Sequence, residues 1–371
     1  MSQEALPTDT NFLFWPNELQ SAGYRNIEKI FHTQPCPRGE TVHPLPPGAP
    51  LEVPWTSPEG ETLGLDDYLE RNHVAGMLVL QDGKVRIERY RLGLTEDQRW
   101  TSFSIAKSFT STLVGAAIAD GYIAGLDAPM TDYIPELAGS AYDGVTVRQV
   151  LTMTSGVRWN EDYADPKSDV ARCGRDMGVE GVHPTIEYMR RLPRQDAPGT
   201  RNRYNTGETD LAGILVNRAT GKTLAAYLSE KIWAPFGMQR DAAWICDRLG
   251  RERGGSGLSA TLRDFARYAL FMLGDGVAGG RRVVPEGWVA MATSNQISHP
   301  LDLGGGYGFQ WWVQFDGTYR GAGIFGQGLF IDPARRLVVA NVGTWPKAVD
   351  PGLGANRLAF LAGVQAAVDR S

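Results

Sequence analysis

Two hairpin signals lie near opposite ends of this chain, and the sequence between them is mainly helical in pattern. "GMLVLQDGKVRIERYRLG" holds two β-rich runs around Asp82-Gly83, a dipeptide suited to a tight two-residue hairpin turn. "GLFIDPARRLVVANVG" holds two apolar runs around Asp332-Pro333, and "GGYGFQWWVQF" before it also reads as β. Between the hairpins, "TVRQVLTMTSG", "DLAGILVNRATG", "TLAAYLSEKIWAPFG" and "TLRDFARYALFMLGDG" have helical spacing of apolar residues, and several stop at glycine. "LGLDDYLERN" precedes the first hairpin as a helix, and "ANRLAFLAGVQAAVDR" closes the chain as another. This order predicts an α/β (α+β) fold with an antiparallel sheet flanked by helices. One α/β lobe is built from both chain ends, residues 61–130 and 291–371, with a mainly helical lobe, 131–290, inserted. Residues 1–60 carry much of the proline ("QPCPRGETVHPLPPGAPLEVPWTSPEG"). Proline at this density resists helix and sheet alike, so this part reads as an extended arm on the surface.

The chain has 371 residues, long for one simple domain, and a net charge of −5. No Lys/Arg-rich tract appears, which argues against nucleic acid as a partner. No run of ~18 apolar residues exists, so no membrane partner is expected. "MSQEALPTDTNFLFWP" lacks the basic and apolar regions of a secretory signal. Cys36, Cys173 and Cys246 are odd in number and widely spaced, which fits neither a disulfide scaffold nor a zinc site. They read as core fillers in a cytoplasmic protein. His32, His43, His73, His183 and His299 are scattered without H-E-x-x-H, so no metal is expected. Glu161, Asp162 and Asp165 read as a solvated loop rather than a carboxylate site.

Chemistry concentrates in "WTSFSIAKSFTSTLVGAAI". Ile105, Phe109 and Leu113 form a helical stripe, and Gly121 ends the helix. Ser104 and Lys107 are one turn apart on one face. A serine hydroxyl needs a nearby base, and burial lowers a lysine pKa until it can act as one. Ser104 also falls at the helix start, where unpaired N–H groups and the dipole favour negative charge. In "PGTRNRYNTGETDLAG", Tyr204 stands in a loop before a helix, suited to relay a proton to a leaving group. Asn205 or Thr206 is placed to donate hydrogen bonds nearby. In "YRGAGIFGQGLFIDP", Gly321, Gly323 and Gly326 match G-x-G-x-x-G. These glycines lead into a hairpin rather than a helix, so a dinucleotide site is rejected. Glycines opening a strand instead let substrate approach a backbone N–H that can hold an oxyanion. Trp159, Trp311, Trp312 and Phe325 are candidates for an acyl pocket, with core packing as the alternative.

In this order the three pieces resemble the serine β-lactamase and penicillin-binding-protein superfamily, whose pattern is S-x-x-K, Y-x-N and K-T-G. "YIPELAGSAYDG", "WNEDYADPKSD", "GFQWW" and "GIFGQGLFIDP" are most similar to its branch of 6-aminohexanoate-dimer hydrolases and related carboxylesterases. The resemblance spans roughly residues 75–345 and implies a β-lactamase-like fold. It implies Ser104 as the acylated nucleophile, Lys107 as its base and Tyr204 as the proton relay. The backbone N–H groups of Ser104 and Ile324 would form the oxyanion hole. Tyr163, Thr206, Trp311 and Gly323 would contact substrate, with Tyr163 on a loop that closes over an amide. No cofactor is implied. The partner would be a small ester or amide, taken by a monomer or a homodimer. Two departures stand out. Thr206 replaces the asparagine of Y-x-N, and Gly321 replaces the lysine of K-T-G, removing a cation that would hold a penicillin or peptide carboxylate. The expectation is a serine hydrolase of small esters or linear amides. The rivals are a β-lactamase or D-alanyl-D-alanine carboxypeptidase, and a non-catalytic binding protein on the same fold.

Overall fold

The computed structural model describes residues 4–173, 181, 183–297 and 305–371; His299 lies outside them. The Asp82-Gly83 signal is a hairpin. Val74–Gln81 pairs antiparallel with Lys84–Tyr90, and Asp82 and Gly83 have φ of 50° and 73°. Two left-handed residues in a two-residue loop match the strand twist. The second hairpin joins Gln327–Asp332 to Leu337–Gly343. Leu337–Gly343 then pairs antiparallel with Val74–Gln81, so strands from the two chain ends lie side by side in one seven-stranded sheet. The remaining strands, Gly305–Tyr307, Trp312–Gln314 and Tyr319–Gly323, come in order on the other side of Gln327–Asp332. The outermost strand Lys84–Tyr90 carries Lys84, Arg86, Glu88 and Arg89, charges that discourage edge-to-edge pairing.

Successive residues of these strands face opposite layers. Met77, Val79, Val339 and Phe330 pack under the C-terminal helix Pro351–Asp369, with Phe360 stacked on Tyr68. Leu78, Leu80, Leu329 and Val338 face the main core, which holds the helices Ile105–Ala119 and Leu262–Leu273. Ile105–Ala119 shows the expected stripe but is buried on every side from Ile105 to Ala117, as a helix at the centre of a larger protein is. Gly121, just beyond it, has φ 78°.

The structure departs from expectation in two places. The N-terminal arm is not simply an extended surface segment. Asn17–Tyr24 is a helix, and Tyr24 and Trp15 are buried. Most prolines of this region come after residue 34, which leaves the preceding stretch free to fold. His32–Cys36 is the edge strand of a second, four-stranded sheet and accommodates Pro35 there. Within the expected helical lobe, Ala242–Cys246 and Leu258–Thr261 are buried strands of that same sheet, which Arg99–Thr101 completes. Short apolar runs do not distinguish buried strand from buried helix by periodicity alone. From 130 to 236 the described elements are helices and loops, including Val147–Leu151, Thr206–Thr220 and Leu224–Leu228.

Candidate active site

The strand Arg99–Thr101 delivers the chain to Ser104 through a sharp turn. Ser102 N–H bonds the Leu258 carbonyl at 2.8 Å, and Phe103 has φ 45°. A bulky residue in that region is strained. Aromatic packing holds it there, with Phe12, Tyr24 and Phe325 ring centres at 5.2, 5.0 and 5.4 Å from Phe103. Two of the three come from the N-terminal segment, which therefore supports the turn. Ser104 is the helix N-cap, and its side chain caps nothing. It borders a cavity of about 430 Å³ whose walls also include Trp159, Tyr163, Thr206, Asp210 and Ile324.

Lys107 is 1 % exposed. Its Nζ donates to Thr206 Oγ1 at 2.9 Å and to the Gly255 carbonyl at 3.0 Å. Burial pulls its pKa down to about 8, against the opposing charges of Glu161 and Asp210. The Tyr204 ring centre lies 5.3 Å from Nζ. Burial drives the Tyr204 phenol well above its ordinary value and the Glu161 charge adds to this, while a hydrogen bond with Ser104 opposes them. A standing tyrosinate is therefore disfavoured, and Lys107 is the group poised to exist as a neutral base near neutral pH. Tyr204 stacks on Trp312 at 5.5 Å and meets Tyr307 edge-on at 6.2 Å.

On the strand side, a Cβ at Gly323 would lie 2.5 Å from the Ser102 carbonyl oxygen. Only glycine allows this approach, and it brings the Tyr319–Gly323 strand end, with Ile324, against the Ser104 turn. Among the described residues, neither the Ser104 nor the Ile324 amide donates to an intramolecular acceptor. A Cβ at Gly321 would meet Ser108 Oγ at 3.2 Å and Ile105 at 3.5 Å, so this position fits closely against the helix.

Ser104, Lys107, Tyr204, Thr206, Tyr163, Gly323 and Ile324 are thus brought together. Trp311 is not. It is fully buried between Tyr268 and Tyr319, with ring centres at 6.3 and 5.3 Å. Neighbouring residues on an extended chain face opposite ways, and Trp312 is the one turned to the site. Trp159 lines the cavity, whereas Phe325 is core. Asn205 does not face the chemistry; its side chain accepts from Glu208 N–H and caps the helix Thr206–Thr220. Tyr163 does not swing free. Its hydroxyl donates to Glu161 at 2.8 Å.

Sequence reasoning missed Glu161 as a site group. It accepts from Thr206 N–H at 3.0 Å, from the Thr206 hydroxyl and from Trp159 Nε1. Its spacing of two from Tyr163 in an extended segment was the available signal. Asp210, half-buried in the cavity wall, has its pKa raised chiefly by desolvation and accepts from Gly255 N–H at 2.8 Å. It lies at i+4 from Thr206, on the same helix face. The three cysteines are buried and form no disulfide with one another. Among the described residues no cluster of histidine, cysteine and carboxylate side chains is placed to hold a metal.

A serine at a strained turn into a helix N-terminus, with a buried lysine one turn on and a tyrosine beside it, defines a serine hydrolase of ester or amide bonds. The chain belongs to the beta-lactamase family, whose model matches residues 65–364. It is 37 % identical over 297 residues to the 6-aminohexanoate-dimer hydrolase of Paenarthrobacter ureafaciens, covering 76 % of this chain and 75 % of that one. Esterase EstB of Burkholderia gladioli is 34 % identical over 161 residues, 41 % of this chain and 40 % of its own. Among solved structures, a Bacillus anthracis chain provisionally assigned as a 6-aminohexanoate-dimer hydrolase superposes with a TM-score of 0.85. It covers 100 % of this chain and 98 % of its own at 22 % identity, a likeness of fold.

Proposed function

We propose that this enzyme cleaves small esters and linear amides through an acyl-enzyme on Ser104. Lys107 takes the Ser104 proton as the hydroxyl attacks the carbonyl carbon. The Ser104 and Ile324 N–H groups hold the resulting oxyanion. Tyr204 passes a proton to the departing alkoxide or amine, and water then releases the acyl group by the reverse sequence. Tyr163, Thr206 and Gly323 border the bound substrate. The observation that carries the reading is the buried Lys107, held by Thr206 and the Gly255 carbonyl, with its pKa near 8. The names of the two curated relatives supply the substrate classes, an amide dimer and esters. Gly321 leaves no cation at the place of the family lysine, which favours neutral acyl groups over penicillins or peptide carboxylates.

Every group in this mechanism comes from one chain, so a monomer and a homodimer would work alike; light scattering distinguishes them. Three cysteines without a disulfide suit the reducing cytoplasm. No described helix is long and apolar enough to cross a membrane.

The test is turnover of p-nitrophenyl butyrate, 6-aminohexanoate dimer and nitrocefin, with fluorophosphonate labelling, in wild type and Ser104→Ala. Label on Ser104 and a kcat/KM preference for the ester or the dimer are expected. Label on another residue, or full activity in the variant, would remove the mechanism. A clear preference for nitrocefin would favour the β-lactamase alternative. Activity should rise with pH through about 8, since only neutral Lys107 can accept the proton.

A further inference from the structure

Glu161 approaches the reaction centre without belonging to any of the three motifs, and its contacts define what it can do. A carboxylate offers about four acceptor positions. Oε1 accepts from the Tyr163 and Thr206 hydroxyls, and Oε2 from Thr206 N–H and Trp159 Nε1. All four positions are taken. None remains to draw a proton from water, so Glu161 is not placed as a base for deacylation. Its influence must pass through a neighbour.

That neighbour is Thr206. Its hydroxyl has one proton, and the proton points to Glu161. Towards Lys107, Thr206 Oγ1 can then only accept. The Gly255 carbonyl can likewise only accept. A neutral lysine has two N–H bonds and one lone pair. With both N–H bonds held by acceptors, the lone pair is left for the side of the pocket where Ser104 and Tyr204 lie. If Thr206 turned its proton towards Lys107 instead, that lone pair would be occupied and the base lost.

We propose that Glu161 is a positioning residue: by taking the Thr206 proton it makes Lys107 commit its N–H bonds to Thr206 and Gly255 and keep its lone pair for Ser104. This rests on the reading of Ser104 as nucleophile and Lys107 as base. The charged groups facing Lys107 are Glu161 from the loop and Asp210 from the helix Thr206–Thr220, with Arg253 next to Asp210. Both carboxylates favour the ammonium. Removing the Glu161 charge should therefore let Lys107 lose its proton at lower pH.

The experiment compares wild type, Glu161→Gln, Thr206→Val, Thr206→Ser and the Glu161→Gln/Thr206→Val double variant. It reads p-nitrophenyl butyrate kcat/KM from pH 5 to 10, fluorophosphonate labelling of Ser104, and near-ultraviolet circular dichroism for the folded fraction. Glu161→Gln is expected to lose ~10–100-fold, the worth of a charge-assisted hydrogen bond, and to move the acidic limb to lower pH. Thr206→Val should lose about as much. The double variant should be no worse than either single, because both break one relay. Thr206→Ser, which keeps the hydroxyl, should recover most of the activity that Thr206→Val loses. Glu161→Gln at wild-type activity with an unmoved limb would overturn the proposal. So would losses that multiply in the double variant, or that track the folded fraction with the limb unmoved. If the wild type is not labelled at Ser104, the parent mechanism fails first and the Glu161 role falls with it. Labelled, active wild type with an indifferent Glu161→Gln sinks the Glu161 role alone.

Discussion

Two glutamates, Glu161 and Glu208, meet the first turn of the same helix, Thr206–Thr220, and the protein treats them differently. Glu161 arrives from a loop and receives four donors, two on each oxygen. Glu208 lies within the turn and is 1 % exposed. Its Oε1 gathers the Tyr142 hydroxyl at 3.3 Å, the Ser155 hydroxyl and Asn205 Nδ2 at 3.5 Å, while Oε2 has no partner. Burial raises the Glu208 carboxyl to about 8, with the hydrogen bonds from Ser155 and Tyr142 opposing it. Proximity to a helix N-terminus is therefore not enough to keep a buried carboxyl such as Glu208 ionised when one of its oxygens has no donor. The first cluster joins Lys107 and the cavity. The second ties loops to the helix start and touches no reacting group.

Changes in the first cluster should cost rate, and changes in the second should cost pH-dependent stability. The largest effect is expected for Lys107→Ala, with kcat down by ~10²–10⁴-fold, the range of a general base, and thermal stability not lowered, since a buried cation is removed. Activity within tenfold of wild type would break the division. Next is Gly323→Ala. Its Cβ collides with the Ser102 carbonyl, which should push the Ile324 amide away from the oxyanion and lower kcat by ~10²-fold. An unaltered ester kcat would take Ile324 out of the hole.

Tyr163→Phe should be milder. Assayed on an ester and an amide with the same acyl group, amide kcat should fall by ~10-fold with ester turnover little changed, because an amine must be protonated to leave. In this structure the Tyr163 hydroxyl donates to Glu161 at 2.8 Å, so it would act on an amide by accepting from the leaving N–H and orienting that nitrogen to take its proton from Tyr204. Equal losses on both substrates would reduce Tyr163 to loop packing.

Glu208→Gln should leave kcat within ~3-fold and show itself only in unfolding. In wild type the folded carboxyl stays protonated up to about 8, whereas the unfolded one ionises near 4.5. The folded state then binds more protons across that window, so stability falls as pH rises from 4.5 to 8, by on the order of a few kcal/mol. The glutamine variant should lack this slope, matching wild type near pH 5 and exceeding it at pH 8 in thermal melts. Parallel melting curves at both pH values would place the cost elsewhere.

The order of motifs and the two hairpin turns were legible because both are local. Asp82-Gly83 specifies its own backbone, and Ser104 and Lys107 face each other on any helix. Thr206 and Ile324 could be placed from their neighbours in sequence. Trp311 was a misassignment because a period of two cannot say which of two adjacent tryptophans faces in. Glu161 was read as a solvated loop because its four donors come from residues up to 45 positions away. The N-terminal segment looked like an arm because proline suppresses local structure, while what holds Tyr24 and Phe12 is their packing on Phe103. The sequence by itself determined the placement of Ser104 and Lys107 one turn apart at a helix start, the turn chemistry and the closing of a sheet from both chain ends, since these depend on dihedral preference and short-range periodicity. Only the tertiary structure decided which carboxylate joins Lys107, which tryptophan flanks Tyr204, and what braces the Ser104 turn. Those are contacts between distant segments, set by how the whole core fills and which buried polar atoms find partners.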